Sequence, residues 1–323
     1  MEHVELNCGS SQKSVASRGR PKVSVVMPVY NGRRYLEAAI DSIRCQTFQE
    51  FELVVVDDGS NDGTGPLIAR VAQQDARIRV LFGHNTGIVS ALNDGLAACT
   101  GEFIARMDAD DFALLDRLAM QVDYLAVHID CVALGAAVLL TDPEGRPLKT
   151  YCPRQLHSEI EAELAGGNGG AMIHPTVMFR RTALLRCGGY CEKYNFIEDL
   201  DLFVRLLDFG ELSNLAKVLL HYRQHPRSVN HVVESRSRQI VEIIAPLRKK
   251  LGLKAIEIPT SYEIPRNARG AGALRRKWAL DAAEGKNSAA ARVNALLAVC
   301  QGPWNRSNWS CLRYTFGLAD QRR

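Results

Sequence analysis

The segment Asp108-Ala109-Asp110-Asp111 places three carboxylates directly after the apolar run that ends at Met107. Carboxylate oxygens are ligands that Mg²⁺ and Mn²⁺ prefer, and a diphosphate would supply further oxygens. The alternative is an acidic turn that caps a following helix. The segment alone therefore leaves two interpretations open, a divalent-metal site and a structural turn.

A second acidic segment, Asp57-Asp58-Gly59-Ser60, follows the apolar run at 53–56. A carboxylate at a strand end can accept hydrogen bonds from a base N–H or from ribose hydroxyls. The same residue types also form simple turns. Two acidic strand ends in one sheet favour a ligand site over two unrelated turns.

The pair Glu198-Asp199 precedes a stripe of apolar residues at helical spacing. Asp199 would then lie in the first turn of a helix, where the helix dipole favours an anion and where the carboxylate could act as a general base. The structural alternative is an ordinary acidic first turn, with Asp201 pairing with Arg205 four residues later.

The run HYRQH at 221–225 follows a strand-like stretch at 217–220. Its imidazole and guanidinium groups could reach a phosphate or a metal. A solvated loop is the alternative.

Alternating strands and helices must position these motifs. Apolar runs at 23–27, 53–56, 78–82 and 102–107 predict strands, and stretches at 35–43, 62–74 and 88–98 have helical spacing. This alternation predicts a doubly wound parallel sheet with ligands at the carboxyl ends of its strands. A helix at 117–128, a strand at 131–140, a turn at 142–145 and a returning strand then make the sheet mixed.

Beyond this hairpin we expect a flexible glycine-rich loop at 166–170, a strand at 176–179, a short helix at 181–187 and a helix from 197 onward. Helical segments near 235–251 and 271–299 follow, joined by a Pro-containing stretch at 256–265. The predicted organisation is a disordered leader at 1–21, a catalytic domain at 22–232 and a C-terminal helical extension at 233–323.

Composition excludes several classes of protein. Forty Lys and Arg against 36 Asp and Glu give a net charge of +4, too small for a dedicated nucleic-acid binder. Nine scattered cysteines suggest reduced thiols in a cytoplasmic protein. No apolar stretch is long enough to cross a bilayer. Basic and aromatic residues of the tail could touch the inner face of a membrane. They are Arg275, Arg276, Lys277, Trp278, Trp304, Trp309, Arg313 and Tyr314. The alternative is an ordinary packed helical extension.

Together these motifs resemble the family 2 glycosyltransferases. The resemblance rests on VVMPVYNG at 25–32, QTF at 46–48, VVDDGS at 55–60, NTG at 85–87, MDADD at 107–111, EDLDL at 198–202 and YRQH at 222–225. It covers about two thirds of the chain. It implies the fold called GT-A, a nucleotide-diphospho-sugar donor and inversion at the anomeric carbon.

The resemblance also implies roles for individual residues. Pro28, Tyr30 and Asp58 would frame the nucleotide base and ribose. Asp108 and Asp110 match the family's DxD motif, with Asp110 as a direct ligand of Mn²⁺ or Mg²⁺ and Asp108 nearer the ribose or a metal-bound water.

Asp199 matches the family's catalytic base. His225 matches a C-terminal histidine that approaches the metal or the diphosphate, and we also expect Arg205 to contact the nucleotide sugar.

The implied reaction adds one sugar to an acceptor hydroxyl, in the synthesis of a polysaccharide or glycolipid, because the chain lacks the Gln-x-x-Arg-Trp motif of processive synthases. The acceptor would be a saccharide or a lipid-linked saccharide. Two alternatives remain: a nucleotidyltransferase, which would release pyrophosphate, and a catalytically silent nucleotide-sugar-binding module. A dehydrogenase is disfavoured because the first strand does not open into Gly-x-Gly-x-x-Gly.

Overall fold

In this computed structural model the described residues are 20–226, 237–256 and 272–317. The predicted leader lies outside them except for Arg20 and Pro21, as does the predicted Pro-containing stretch beyond Ile256. The predicted boundary between catalytic domain and extension, at 232, also falls outside the described residues.

The first half of the chain forms the predicted parallel sheet. Its strands lie in the order β3-β2-β1-β4, and every neighbouring pair is parallel. The elements are β1 (Val23–Val29), α1 (Arg33–Arg44), β2 (Phe51–Asp57), α2 (Thr64–Gln74), β3 (Ile78–Phe82), α3 (Ile88–Ala98) and β4 (Phe103–Arg106). Alternate strand residues face opposite sides, so Val26 and Val54 join one apolar core while Val25 and Leu53 join another. Burial on both faces explains why these strands are continuous apolar runs.

The second half extends the sheet with mixed pairing, as predicted. The order continues β4-β8-β6-β9-β5, in which β8 is antiparallel to β4 and β6, β9 is parallel to β6, and β7 pairs with β6 off this path. The elements are β5 (Phe112–Ala113), α4 (Arg117–Val127), β6 (Cys131–Thr141), β7 (Pro147–Tyr151), α5 (His157–Ala165), β8 (Met178–Arg180), α6 (Arg181–Arg186), α7 (Glu198–Leu206) and β9 (Glu211–Arg223). Strand β9 is much longer than the predicted 217–220, and β5 and α5 were not predicted.

The described part of the C-terminal region is helical, as expected. It contains α8 (Ser237–Lys250), α9 (Ala273–Glu284), α10 (Ser288–Gln301) and α11 (Arg306–Thr315). The predicted segment 271–299 is two helices, because the chain turns at Gly285, where a Cβ atom would lie 2.1 Å from the backbone oxygen of Leu148 on β7. Trp278 and Leu148 are buried together in a small core that joins the extension to the sheet. Within the described ranges no helix is both long and apolar enough to span a bilayer.

Seven of the eight described cysteines are free thiols, including the pair Cys187 and Cys191.

Candidate active site

The carboxyl ends of β1, β2 and β3 lie side by side, because Val29 pairs with Asp57 and Asp57 pairs with Phe82. The loops that follow β1 and β2 are joined by two hydrogen bonds. The Asn31 amide donates to Ser60 Oγ over 2.8 Å, and the Asn61 amide donates to Asn31 Oδ1 over 2.9 Å. These bonds hold the two loops together as one rim of the site.

Two of the residues expected at the nucleotide flank this rim. Pro28 is buried within β1, and the side chain of Tyr30 is 49% exposed. An exposed aromatic ring beside a strand end is a surface on which a planar base can stack. The Tyr30 ring is therefore available to a ligand, whereas Pro28 is covered within β1 and could affect a ligand only by fixing the end of this strand.

Asp58 is buried and already forms hydrogen bonds to the loop before α3. Its Oδ1 accepts from the Thr86 amide and its Oδ2 accepts from the Gly87 amide, both over 2.8 Å. The Thr86 hydroxyl also donates to Oδ1 over 3.3 Å, so the second lone pair of Oδ2 is the one left for a ligand hydroxyl. In the structure Asp58 positions the loop at 83–87 against the ends of β1 and β2.

The acidic loop after β4 has a donor set that fits a divalent cation. One oxygen from each of Asp108, Asp110 and Asp111 lies within 4.8 Å of the others. Asp111 is buried, its Oδ1 accepts from the Arg223 amide over 2.8 Å, and its Oδ2 has no hydrogen-bond partner among the described residues. Burial, together with the charges of Asp110 and Asp108, raises the pKa of Asp111 well above its usual value. A cation would relieve both the unpaired oxygen and the mutual repulsion.

The end of β9 closes over this loop. His225 Nε2 lies 2.7 Å from Asp110 Oδ2, and Arg223 Nε donates to the backbone oxygen of Asp110 over 2.9 Å. The ring of Tyr35 stacks on His225 at 5.4 Å between centroids, and the Arg223 guanidinium lies 4.6 Å from the Tyr35 centroid. The structure thus brings His225 to the acidic loop, while the guanidinium of the same run holds that loop's backbone.

The segment that carries His225 is also bound to the C-terminal extension. Trp278 on α9 donates its indole N–H to Gln224 Oε1 over 3.0 Å, and the Gln224 amide donates to the Thr141 carbonyl over 2.8 Å. The indole is buried. The extension therefore fixes the residue that immediately precedes His225.

A buried cation that sequence reasoning missed lies beneath the acidic loop. Arg106, the last residue of β4, forms an ion pair with Asp108 through Nη1. Burial opposes its charge, but Asp108 outweighs burial and raises the pKa of Arg106, so the guanidinium stays protonated. Burial also raises the pKa of Asp108, against the opposing effect of Arg106. The available signal was a charged residue at the end of an apolar strand.

Asp199 lies in the first turn of α7, as predicted. Its Oδ1 accepts from the Leu200 amide over 2.7 Å. Burial raises the pKa of Asp199, while the charges of Arg106 and Asp108 act on it in opposite directions. A Cβ atom on Gly169 would lie 3.8 Å from both Asp199 oxygens, so the glycine-rich loop borders this carboxylate. Asp199 and the acidic loop therefore belong to one electrostatic site.

The charge of Asp199 acts on two buried neighbours, Glu198 and Tyr190. Burial raises the pKa of Glu198 to about 7, with the Asp199 charge adding to this effect. The Glu198 Oε2 atom has no hydrogen-bond partner among the described residues. His174 Nε2 lies 2.8 Å from the Tyr190 hydroxyl, and burial lowers the pKa of His174 well below its usual value. His174 is therefore a neutral, hydrogen-bonded group.

The guanidinium of Arg205, which was expected at the nucleotide sugar, has a full set of protein partners in the structure. Its guanidinium donates to Asp201, to the carbonyl and sulfur of Cys187 and to the carbonyl of Gly189. These bonds use all five N–H donors of the group. Arg205 ties the start of α7 to the turn after α6, and the alternative pairing with Asp201 is the one observed.

Residues 24–188, about half of the chain, match the profile of Glycosyl transferase family 2. The O-antigen biosynthesis glycosyltransferase WbnJ of Escherichia coli is 31% identical over 210 residues, which cover 64% of this chain and 81% of that protein. The amylovoran biosynthesis glycosyltransferase AmsE of Erwinia amylovora is 31% identical over 211 residues, which cover 64% of this chain and 78% of that protein.

Solved structures share the fold. S. aureus TarS 1-349, in complex with UDP-GlcNAc, has a TM-score of 0.58 at 17% identity, over 94% of this chain and 93% of that chain. Mannosyltransferase PcManGT from Pyrobaculum calidifontis, in complex with GDP-Man and Mn²⁺, has a TM-score of 0.53 at 20% identity, over 93% of this chain and 81% of that chain. These similarities confirm the predicted GT-A fold, and with the family profile they establish that the chain belongs to glycosyl transferase family 2.

Proposed function

We propose that this glycosyltransferase moves one sugar from a nucleotide-diphospho-sugar to an acceptor hydroxyl in a single inverting displacement, with Asp199 as the general base. The observation that carries the proposal is the electrostatic link between Asp199 and the acidic loop, through the charges of Arg106 and Asp108. Such a link supports a proton acceptor and a cation site that act on the same donor, as a one-step displacement requires.

In this proposal the donor's nucleotide lies along the rim formed by the loops after β1 and β2. Tyr30 stacks on the base, Pro28 fixes the strand end that carries Tyr30, and Asp58 accepts a hydrogen bond from the base or the ribose. Asp58 is suited to this role because the Thr86 and Gly87 amides already hold its carboxylate in place. In this proposal Arg205 acts on the site by holding the start of α7, since its N–H donors are engaged within the protein.

The acidic loop would hold Mn²⁺ or Mg²⁺ through Asp110, Asp108 and His225, with Asp111 as a further candidate ligand. Such a cation stabilises, as a Lewis acid, the negative charge on the departing nucleoside diphosphate. Arg106 holds the loop through its ion pair with Asp108, and Arg223 of β9 holds it through the backbone oxygen of Asp110. The carboxylates are therefore positioned before the donor arrives.

Asp199 accepts the proton of the acceptor hydroxyl. Its raised pKa brings the carboxylate closer to the pH at which the enzyme works, which makes it a stronger base than an exposed aspartate. The Leu200 amide holds Oδ1, which leaves Oδ2 to receive the proton.

The acceptor in this proposal is a saccharide or a lipid-linked saccharide, and the product enters a polysaccharide or glycolipid. The support is that relatives carry names of O-antigen and amylovoran biosynthesis. We also propose a cytoplasmic enzyme with peripheral contact at the inner face of the membrane.

A donor screen tests the catalytic proposal. UDP-, GDP- and dTDP-sugars are offered with and without Mn²⁺, and both binding and release of the nucleoside diphosphate are measured. We expect one donor class to bind with metal, Asp110→Ala to abolish metal-dependent binding, and Asp199→Asn to bind without turnover. Asp123→Ala, which removes an exposed carboxylate on α4, is the matched control and should behave as wild type.

The same screen separates the alternatives. Release of pyrophosphate from nucleoside triphosphates with a sugar phosphate would identify a nucleotidyltransferase. Donor binding that is metal-dependent but never followed by turnover, with any acceptor saccharide, would identify a silent binding module.

A further inference from the structure

The end of the extension presents an unusual set of exposed aromatic side chains. Trp304 is 95% exposed, Trp309 is 46% exposed, Tyr314 is 57% exposed and Phe316 is 39% exposed. Large aromatic residues are normally buried because each removes a large apolar area from water. We call this set, together with Arg306 and Arg313, the α11 face.

Four members of the α11 face lie on one side of its helix, whereas Trp304 precedes the helix and Tyr314 lies on an adjacent exposed side. Arg306, Trp309, Arg313 and Phe316 recur every three or four residues, which places them on one side, while Asn308 and Cys311 on the other side are buried against α9 and α10. The face is thus exposed, apart from the Phe316 ring, over which the Arg292 guanidinium of α10 lies at 5.2 Å from the centroid.

Hydrogen bonds hold the aromatic residues in position. The Asn305 side chain caps α11 by accepting from the Ser307 amide over 3.0 Å, and Trp309 Nε1 donates to the Pro303 carbonyl over 2.7 Å. These bonds fix the turn from which Trp304 projects. The exposure of Trp304 is therefore a property of an ordered turn.

Charge on this part of the extension has one sign. Residues 285–317 contain four cations and no Asp or Glu: Lys286, Arg292, Arg306 and Arg313. All four are exposed, and within the described residues none forms an ion pair. An ordinary solvated helix mixes both signs, so an acid-free aromatic face points to an anionic partner.

We infer that the α11 face docks on an anionic lipid surface. Tryptophan and tyrosine rings favour the interface between headgroups and acyl chains, and arginines beside them attract anionic headgroups. A second copy of the chain fits less well, because a symmetric contact would place like charges opposite each other. This inference deepens the membrane contact in the proposed function.

Burial and ion pairing exclude some of the tail residues that were expected to touch a membrane. Trp278 and Arg276 are buried, and Arg275 pairs with Glu144. Trp278 and Arg275 join the extension to the main body, and Arg276 joins α9 to Asn308 on α11. Of the tail residues, Lys277 on α9 and Trp304, Trp309, Arg313 and Tyr314 remain exposed, and the structure adds Arg306 and Phe316.

Vesicle co-sedimentation tests the inference with the full chain. Binding to vesicles of phosphatidylcholine mixed with phosphatidylglycerol is compared with binding to phosphatidylcholine alone. We expect binding to the mixed vesicles only, weakened by salt and accompanied by a blue shift of tryptophan emission. Replacing both arginines (Arg306→Ala, Arg313→Ala) should weaken binding about 30-fold, at roughly a factor of five per cation.

Trp304→Ala tests the aromatic part without risk to the fold, because this side chain is almost fully exposed. It should weaken vesicle binding and reduce the blue shift. Ile129→Ala, at an exposed apolar residue after α4, and the pair Arg70→Ala with Arg154→Ala, at exposed cations of the main body, are the matched controls. They should bind as wild type does.

Several results would overturn the inference. These are no binding of the wild type to either vesicle, equal binding to both, or equal losses in the control variants. Self-association through Trp304 or saccharide binding by the α11 face, without lipid binding, would assign the surface to another partner. Turnover of a water-soluble acceptor should be unchanged in all these variants, so failure of lipid binding leaves the catalytic proposal intact.

Discussion

Asp199→Asn is the substitution that best separates catalysis from folding at this site. The variant keeps the size of the side chain, and its amide oxygen can still accept the hydrogen bond from the Leu200 amide. It loses the ability to take a proton. Loss of a general base lowers a rate by about 10²–10⁴-fold, which corresponds to about 3–5 kcal/mol in the activation barrier.

The expected change in stability is much smaller. Removing a charge from the first turn of α7 costs at most about 1 kcal/mol through the helix dipole. Burial raises the pKa of Asp199, which means that the fold already disfavours this charge, so the substitution also removes a cost. An activity loss of the predicted size therefore cannot arise from unfolding.

The assay measures release of the nucleoside diphosphate from the donor that binds, with water or an alkyl glycoside as acceptor, together with donor affinity and the melting temperature. In the wild type, kcat should fall as the pH falls through the pKa of Asp199, at a pH above the ordinary aspartate value of 3.8. The matched control is Asp208→Asn, an exposed carboxylate just beyond the end of α7. Turnover of Asp199→Asn within about threefold of wild type, or an unchanged acidic limb, would refute the assignment of the base.

Three further predictions follow from the contacts described above. Glu198→Gln should stabilise the protein at pH 8 by up to about 3 kcal/mol and much less at pH 5. The folded-state pKa of Glu198 is about 7, so its protonated carboxyl contributes fully to stability below pH 4.5 and this contribution is lost as the pH rises through 7. Equal melting-temperature shifts at both pH values would contradict this. Trp278→Phe leaves Gln224 Oε1 without its buried donor and should raise the Mn²⁺ concentration needed for half-maximal turnover, whereas Trp309→Phe should not. Gly285→Ala should lower the melting temperature, at a cost of about 1–3 kcal/mol, because its methyl group would overlap a backbone oxygen of β7; an unchanged melting temperature would show that the turn can shift.

The strand ends that carry the motifs were predictable because burial on both faces of the sheet leaves continuous apolar runs in the sequence. The same signal failed for β9, which was predicted only at 217–220. This strand also contains polar residues such as Asn214, and its ladder with β6 is interrupted by irregular register. Its full length depends on pairing with β6 and β5, which local sequence does not encode.

The acidic side chains of the site could be placed at strand and helix ends, but their partners could not. Arg106 reads as a lone charge after an apolar strand, and its ion pair with Asp108 depends on how the loop folds back. The partners of Arg205 could not be predicted either, because Cys187 and Gly189 come from a turn that reaches α7 only in three dimensions. Both sets of contacts depend on how a loop or turn folds back, which the local sequence pattern does not show.

The contact between His225 and Asp110 spans 115 residues of chain. On a ribosome that adds about 5–20 residues per second, the acidic loop would emerge roughly 6–20 seconds before the histidine that faces it. During that interval β5, whose sheet partner is β9, also lacks its neighbour. The nascent polypeptide thus acquires the strands of its parallel sheet well before the histidine of its candidate cation site, so a product terminated between the two would contain β1 to β4 without that histidine.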